Sequence, residues 1–160
     1  MMKVHIFTDG ACSGNPGKGG FGVLLRVVGT PHEKQISAGF RNTTNNRMEL
    51  LAVIIGLEQL KTNELKVEIF TDSRYVSDAF NKNWIHGWVK KGFAKVKNPD
   101  LWKRLYVLYR KFNPTFHWIR GHAGHPENEL VDRLAVAASK GEKLLIDQYF
   151  EQENQKNTLF

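Results

Sequence analysis

The run Val4-His5-Ile6-Phe7-Thr8-Asp9-Gly10 decides how the chain is read. Val4, Ile6 and Thr8 alternate with His5, Phe7 and Asp9, the two-residue period of a β-strand whose side chains leave on opposite faces. Gly10 closes the run, so the strand is expected to end on an acid, Asp9. Residues 13–20 are turn chemistry, and residues 21–28 and 34–40 read as two more strands joined around Gly29-Thr30-Pro31, which predicts an antiparallel meander. A helix is expected from Thr44, with Met48, Leu51, Ala52 and Ile55 at helical spacing and Leu50, Ile54 and Leu57 broadening the apolar face until it must be largely buried. Residues 66–71 form a fourth strand that again ends on an acid, Asp72, and Ser73 can cap a short helix toward Phe80. Further on come a helix over residues 100–112, a strand over 115–119, a loop over 121–126, and a helix over 127–139 that carries Glu129 and Asp132. This order predicts an α/β, or mixed α+β, fold: a five-stranded mixed sheet with three leading antiparallel strands, flanked by helices.

A chain of 160 residues that is 41% hydrophobic can bury one sizeable core. One domain is expected over residues 1–140, followed by a tail, 141–160, that is polar apart from Leu144-Leu145-Ile146 and Leu159-Phe160 and is expected to be mobile. The single cysteine, Cys12, excludes an internal disulfide framework and a cysteine-based zinc site. The N-terminus lacks a basic stretch followed by an apolar one, and no long apolar run occurs, so a cytoplasmic, monomeric protein without a membrane partner is expected. Lys and Arg total 23 against 16 Asp and Glu, a formal charge of +7, which favours polyanionic partners.

Asp9 and Asp72 stand at expected strand ends, and Glu49 and Asp132 on apolar-flanked helices. Singly, each reads as a solvated charge; acids drawn from several elements are what a site for hard divalent cations requires. The stretches around them resemble type 1 ribonuclease H over residues 3–139. Four carry the resemblance: Thr8-Asp9-Gly10-Ala11-Cys12-Ser13-Gly14-Asn15-Pro16-Gly17, Thr43-Thr44-Asn45-Asn46-Arg47-Met48-Glu49-Leu50, Thr71-Asp72-Ser73, and Gly121-His122-Ala123-Gly124-His125-Pro126-Glu127-Asn128-Glu129 with Asp132. The resemblance implies an endoribonuclease that hydrolyses the RNA strand of RNA–DNA hybrids, leaving 5′-phosphate and 3′-hydroxyl ends. It implies two Mg²⁺ ions, with Mn²⁺ as an alternative. Asp9 would bridge both, Asp132 would hold the water-activating side, and Glu49 with Asp72 the leaving-group side. His122 would be the mobile proton carrier, a role an imidazole suits.

The same resemblance implies contacts to the RNA 2′-hydroxyls from Asn15 and Asn45, with Cys12 beside them, and a DNA-phosphate pocket at Thr44 and Asn98. Trp84 and Trp88, at helical spacing and interleaved with Lys82, Lys90, Lys91, Lys95 and Lys97, would line the DNA side, in a basic protrusion over about residues 82–98 that is short for the family. Two positions depart from the pattern. Asn42 stands where an arginine is expected directly before Thr43-Thr44, and Arg74 where many relatives carry an amide. The terminal residues Gln155 to Leu159-Phe160 resemble the short peptide by which bacterial replication proteins dock on the sliding clamp. Two alternatives stay open: a catalytically idle hybrid-binding module, and another two-metal nuclease of the same architecture.

Overall fold

In the computed structural model, which describes residues 1–158, β1 (Met2–Ser13), β2 (Gly17–Val27) and β3 (Glu33–Thr43) form the antiparallel meander. Helix α1 (Asn45–Glu58) returns the chain so that β4 (Leu65–Thr71) pairs parallel to β1. Three helices, α2 (Arg74–Asn81), α3 (Trp84–Lys90) and α4 (Pro99–Phe112), precede β5 (Thr115–Trp118), which pairs parallel to β4. Then come α5 (Pro126–Ser139), β6 (Leu144–Leu145) and α6 (Gln148–Thr158). The sheet order is β5-β4-β1-β2-β3-β6, six strands where the sequence predicts five. No helix of the described residues is long and apolar enough to cross a membrane.

Strand β1 does not stop at Gly10. Gly10 stays paired with Phe21, and the strand runs on to Ser13. The glycine has another cause: a Cβ there would lie 2.6 Å from the Glu49 amide nitrogen and 2.9 Å from the Met48 Cβ, so only a bare backbone lets α1 cross the strand this closely. Asp9 therefore sits within a strand, next to the glycine over which the first turns of α1 cross. Thr44 starts that helix as its N-cap, accepting a hydrogen bond from the Arg47 amide on its side-chain oxygen.

The pleat sends Ile6 and Phe7 to opposite faces. On the α1 side Ile6, Val23, Leu50, Val53, Ile54, Leu57, Ile69, Trp102 and Leu105 are excluded from solvent, each such aliphatic side chain contributing about 1.5–3 kcal/mol. The other side carries a smaller core of Phe7, Leu24 and Val131, with Phe70 and Leu130 against it. There α5 lies directly on backbone. At Gly22 of β2 a methyl group would run into the Val131 carbonyl, and at Gly20 into that of Ala135. Because Gly22 is the cross-strand partner of Asp9, this close approach brings α5, and Asp132 on it, alongside Asp9.

The expected mobile tail is instead packed in this structure. Leu144 and Leu145 pair with Gly39 and Phe40, and Asp147, 9% exposed, accepts from Arg47 Nε and the Thr43 hydroxyl, both at 2.7 Å. Arg47, 2% exposed, also makes a two-pronged pair with Asp100 at 2.7 and 2.9 Å. A buried arginine needs such partners, and they come from residues 53 and 100 positions along the chain, which no local periodicity reveals. Leu159 and Phe160, two of the residues expected to dock on a clamp, lie outside the described residues; Gln155 is exposed on α6.

Candidate active site

Strand β1 supplies Asp9, α1 supplies Glu49, and Asp72 follows the last residue of β4. Each offers a carboxylate oxygen, and the three oxygens lie within 4.8 Å of one another. Asp132 on α5 and His122 line the same open cleft, about 320 Å³, together with Gly10, Asn45 and Ser73. The loop after β5 closes against the acids, since a Cβ at Gly121 would lie 2.7 Å from Asp72 Oδ2. His122 itself is exposed and left-handed (φ 56°), a conformation histidine tolerates better than most residues, with Gly124 (φ 82°) following.

Such a crowd of carboxylates is unstable when fully ionised. Burial and the neighbouring Asp72 and Asp132 charges push the Asp9 carboxyl up to about 8. Burial, then the charges of Asp9 and Asp72, hold Glu49 well above the usual carboxylate range, and burial raises Asp72. Glu49 Oε2 is buried without a hydrogen-bond partner, whereas Asp9 Oδ1 accepts from the Gly10 amide at 2.9 Å. An orphaned carboxylate oxygen among all-oxygen donors suits hard divalent cations, so the residues present fit such ions.

Beside the acids runs a second cleft of about 520 Å³, bounded by Asn15, Thr44, Asn98 and Lys97 on one side and by Tyr149 and Asn154 of α6 on another. Asn15 Oδ1 accepts from the Asn45 amide at 3.1 Å, fastening the β1–β2 turn to the start of α1. The Cys12 thiol is turned inward toward the carbonyls of Gly14 (3.0 Å) and Thr43 (3.4 Å). Asn98, left-handed at the start of α4, accepts from Arg47 Nη1 and donates to the Tyr75 hydroxyl. Arg41 does not take the place left by Asn42, because Glu151 of α6 holds its guanidinium in a two-pronged pair.

The two tryptophans of α3 do not share one environment. Trp84 is 46% exposed with Lys82 Nζ 5.4 Å from its ring, while Trp88 is half-buried edge-on against Trp102, 5.0 Å between centroids. The seven-residue helix turns Trp88 into the core, and only Trp84 stands out as an open aromatic surface. Sequence reasoning missed Asp147 and Tyr149, which complete the Arg47 cluster, and Trp118, 38% exposed, whose indole N–H donates to the Asp72 carbonyl at 2.9 Å. A tryptophan closing an exposed edge strand was the available signal for the last of these.

Residues 1–140 match the sequence family described as RNase H. A ribonuclease H of Desulforamulus reducens is 52% identical over 152 residues, covering 92% of this chain and 94% of that protein. Among solved structures, a type 1 RNase H with the type 2 active-site motif superposes with a TM-score of 0.78 at 30% identity, covering 98% of this chain and 83% of the other. An RNase H1 solved in complex with an RNA/DNA hybrid gives a TM-score of 0.64 at 27% identity, with 84% and 95% covered.

Proposed function

This chain belongs to the ribonuclease H family, and on that premise we propose that Asp9, Glu49, Asp72 and Asp132 are the metal-holding centre of an endonuclease that hydrolyses the RNA strand of RNA–DNA hybrids. The observation that carries the reading is the convergence of Asp9, Glu49 and Asp72 within 4.8 Å, with a Glu49 oxygen left unpartnered and Asp132 lining the same cleft. Two divalent ions, Mg²⁺ in this reading, would neutralise the carboxylates, promote ionisation of the attacking water and stabilise charge on the phosphate and its leaving oxygen.

Each residue then has a task. Asp9, which interacts with Glu49, Asp72 and Asp132, would help to hold both ions; Asp132 would help to hold the ion that activates the water, and Glu49 with Asp72 the ion that stabilises the leaving oxygen. His122, on a glycine-flanked loop at the cleft mouth, carries protons between site and solvent. The water attacks the phosphorus in line with the departing 3′-oxygen, which leaves as a 3′-hydroxyl while the phosphate stays on the 5′ end. Asn15 and Asn45 read 2′-hydroxyls next to the acids, with Cys12, whose thiol is turned inward, contributing through its backbone at the end of β1, since a 2′-hydroxyl is what tells RNA from DNA. Thr44 and Asn98 hold a phosphate of the DNA strand in the adjoining cleft. Trp84 packs on deoxyribose, and Trp88, edge-on against Trp102, lies on the same short helix on the DNA side.

Labelled RNA–DNA hybrid, RNA duplex and single-stranded RNA, each offered with and without Mg²⁺, test the reading. Cleavage confined to hybrid plus metal is expected; hybrid binding without cleavage in any metal would replace the hydrolase with a binding module. Docking on a sliding clamp through Gln155, Leu159 and Phe160 is tested by titrating the clamp with the full chain and with a chain ending at residue 154, where equal affinities would remove it.

A further inference from the structure

Beyond the acids, the edge of the site on the β5 side carries an arrangement that the reaction as described does not use. Arg74, the first residue of α2, lies with its guanidinium carbon 3.8 Å from the centre of the Trp118 ring. Trp118 is in turn fixed by its indole N–H to the Asp72 carbonyl at 2.9 Å, and its backbone is paired with Thr71. The stack is thus anchored to the residue bearing one of the site carboxylates. Ser73, between Asp72 and Arg74, itself lines the acid cleft.

Arg26, Arg41, Arg47 and Arg104 all donate to carboxylates, but among the described residues no hydrogen bond or ion pair engages the Arg74 guanidinium. Its flat face rests on an aromatic ring, which leaves the in-plane N–H fork free and preorganised for a tetrahedral anion. Helix stability does not account for it. A cation at the first position of a helix opposes the helix dipole, and the first turn of α2 has no acid to offset it.

We infer that Arg74, held flat against Trp118, is a substrate-positioning cation that donates to a backbone phosphate of the RNA strand beside the one on the carboxylates. The inference rests on the hydrolase reading of the acids. It makes Arg74, where many relatives carry an amide, the gain of a charged contact to phosphate. The exposed Trp118 acts through Arg74 by fixing its direction, and the Asp72 carbonyl fixes Trp118.

Equilibrium binding of labelled hybrid in EDTA, over a series of salt concentrations, tests this with the full chain and its Arg74→Ala, Arg74→Gln, Trp118→Leu and doubly substituted forms. Arg74→Ala and Arg74→Gln should each weaken binding about tenfold and lower the slope of log K against log salt by about one, the loss of one phosphate contact. Trp118→Leu should weaken binding by a similar factor, and joining it to Arg74→Ala should cost nothing further, because the two act as one unit. In Mg²⁺, cleavage by Arg74→Ala should show a raised KM with kcat little changed. An unchanged salt slope in Arg74→Ala, or losses that multiply in the double form, would overturn the inference. Arg74 is exposed, so its variants keep the test independent of folding. Failure of the unsubstituted chain to cleave hybrid would strike the hydrolase reading instead.

Discussion

Asp9 retains its proton to about 8 when no cation is present, because burial and the charges of Asp72 and Asp132 oppose its ionisation. An unfolded aspartate ionises near 3.8, so between that pH and about 8 the folded chain binds the extra proton, and this group's contribution to stability falls as pH rises through the window. Asp9→Asn should therefore be more stable than the unsubstituted chain in EDTA, with an advantage that grows from about pH 4 to about pH 8 and reaches on the order of a few kcal/mol. Denaturant unfolding at a series of pH values measures it; a constant difference across the window would refute it. The same variant should cleave no hybrid in Mg²⁺. Divalent ions favour the ionised carboxylates, so adding Mg²⁺ to the unsubstituted chain in weak buffer at pH 7 should release protons, and much less from Asp9→Asn. His122→Ala should lower kcat on the order of a hundredfold and leave KM nearly unchanged, the mark of a group that moves protons and does not bind. The identity of the acids was legible in sequence only through flanking motifs, since an isolated Asp on an apolar-looking strand has no pattern of its own.

Elements deliver these residues, and two of the deliveries depend on missing side chains. Gly10 lets α1 cross β1, and Gly20 and Gly22 let α5 settle on β2. Gly22→Ala should push α5 outward, costing about 1–3 kcal/mol and lowering kcat more than KM, since Asp132 moves with the helix; urea unfolding and steady-state rates read the two effects. The sequence marks Gly10 as a strand end because glycine usually punctuates, and only the crossing helix shows it to be a close contact. The tail is the second such case. Its composition is polar, yet Asp147 ties it to Arg47 on α1, so Asp147→Ala should cost about 3 kcal/mol by leaving a buried guanidinium short of a partner. The exposed Arg41–Glu151 pair should contribute nothing measurable, and Glu151→Ala is the matched control in the same denaturation series.

Over the whole molecule, the excess of seven positive charges coexists with a site made of acids. The acids lie in one cleft, while Lys82, Lys90, Lys91, Lys95 and Lys97 stay exposed around α3 and Arg74 is exposed at the start of α2, so a long polyanion can be attracted by positive surface outside the acids. Hybrid affinity measured in EDTA should thus fall steeply with salt, and a flat response would count against these flanks as the grip. By itself the sequence determined the three-strand meander, the buried first helix and the mixed sheet, and it singled out the four acids as candidates, because alternation, helical spacing, capping and motif are local and survive in one dimension. Only the tertiary structure decided that Asp9 lies within a strand, that Trp88 turns into the core while Trp84 does not, that the tail is bound through Asp147, and that Arg74 rests on Trp118. Each of those depends on a contact between residues far apart in the chain, where burial and close approach, which leave no periodic trace, choose between arrangements that local propensity treats as equal.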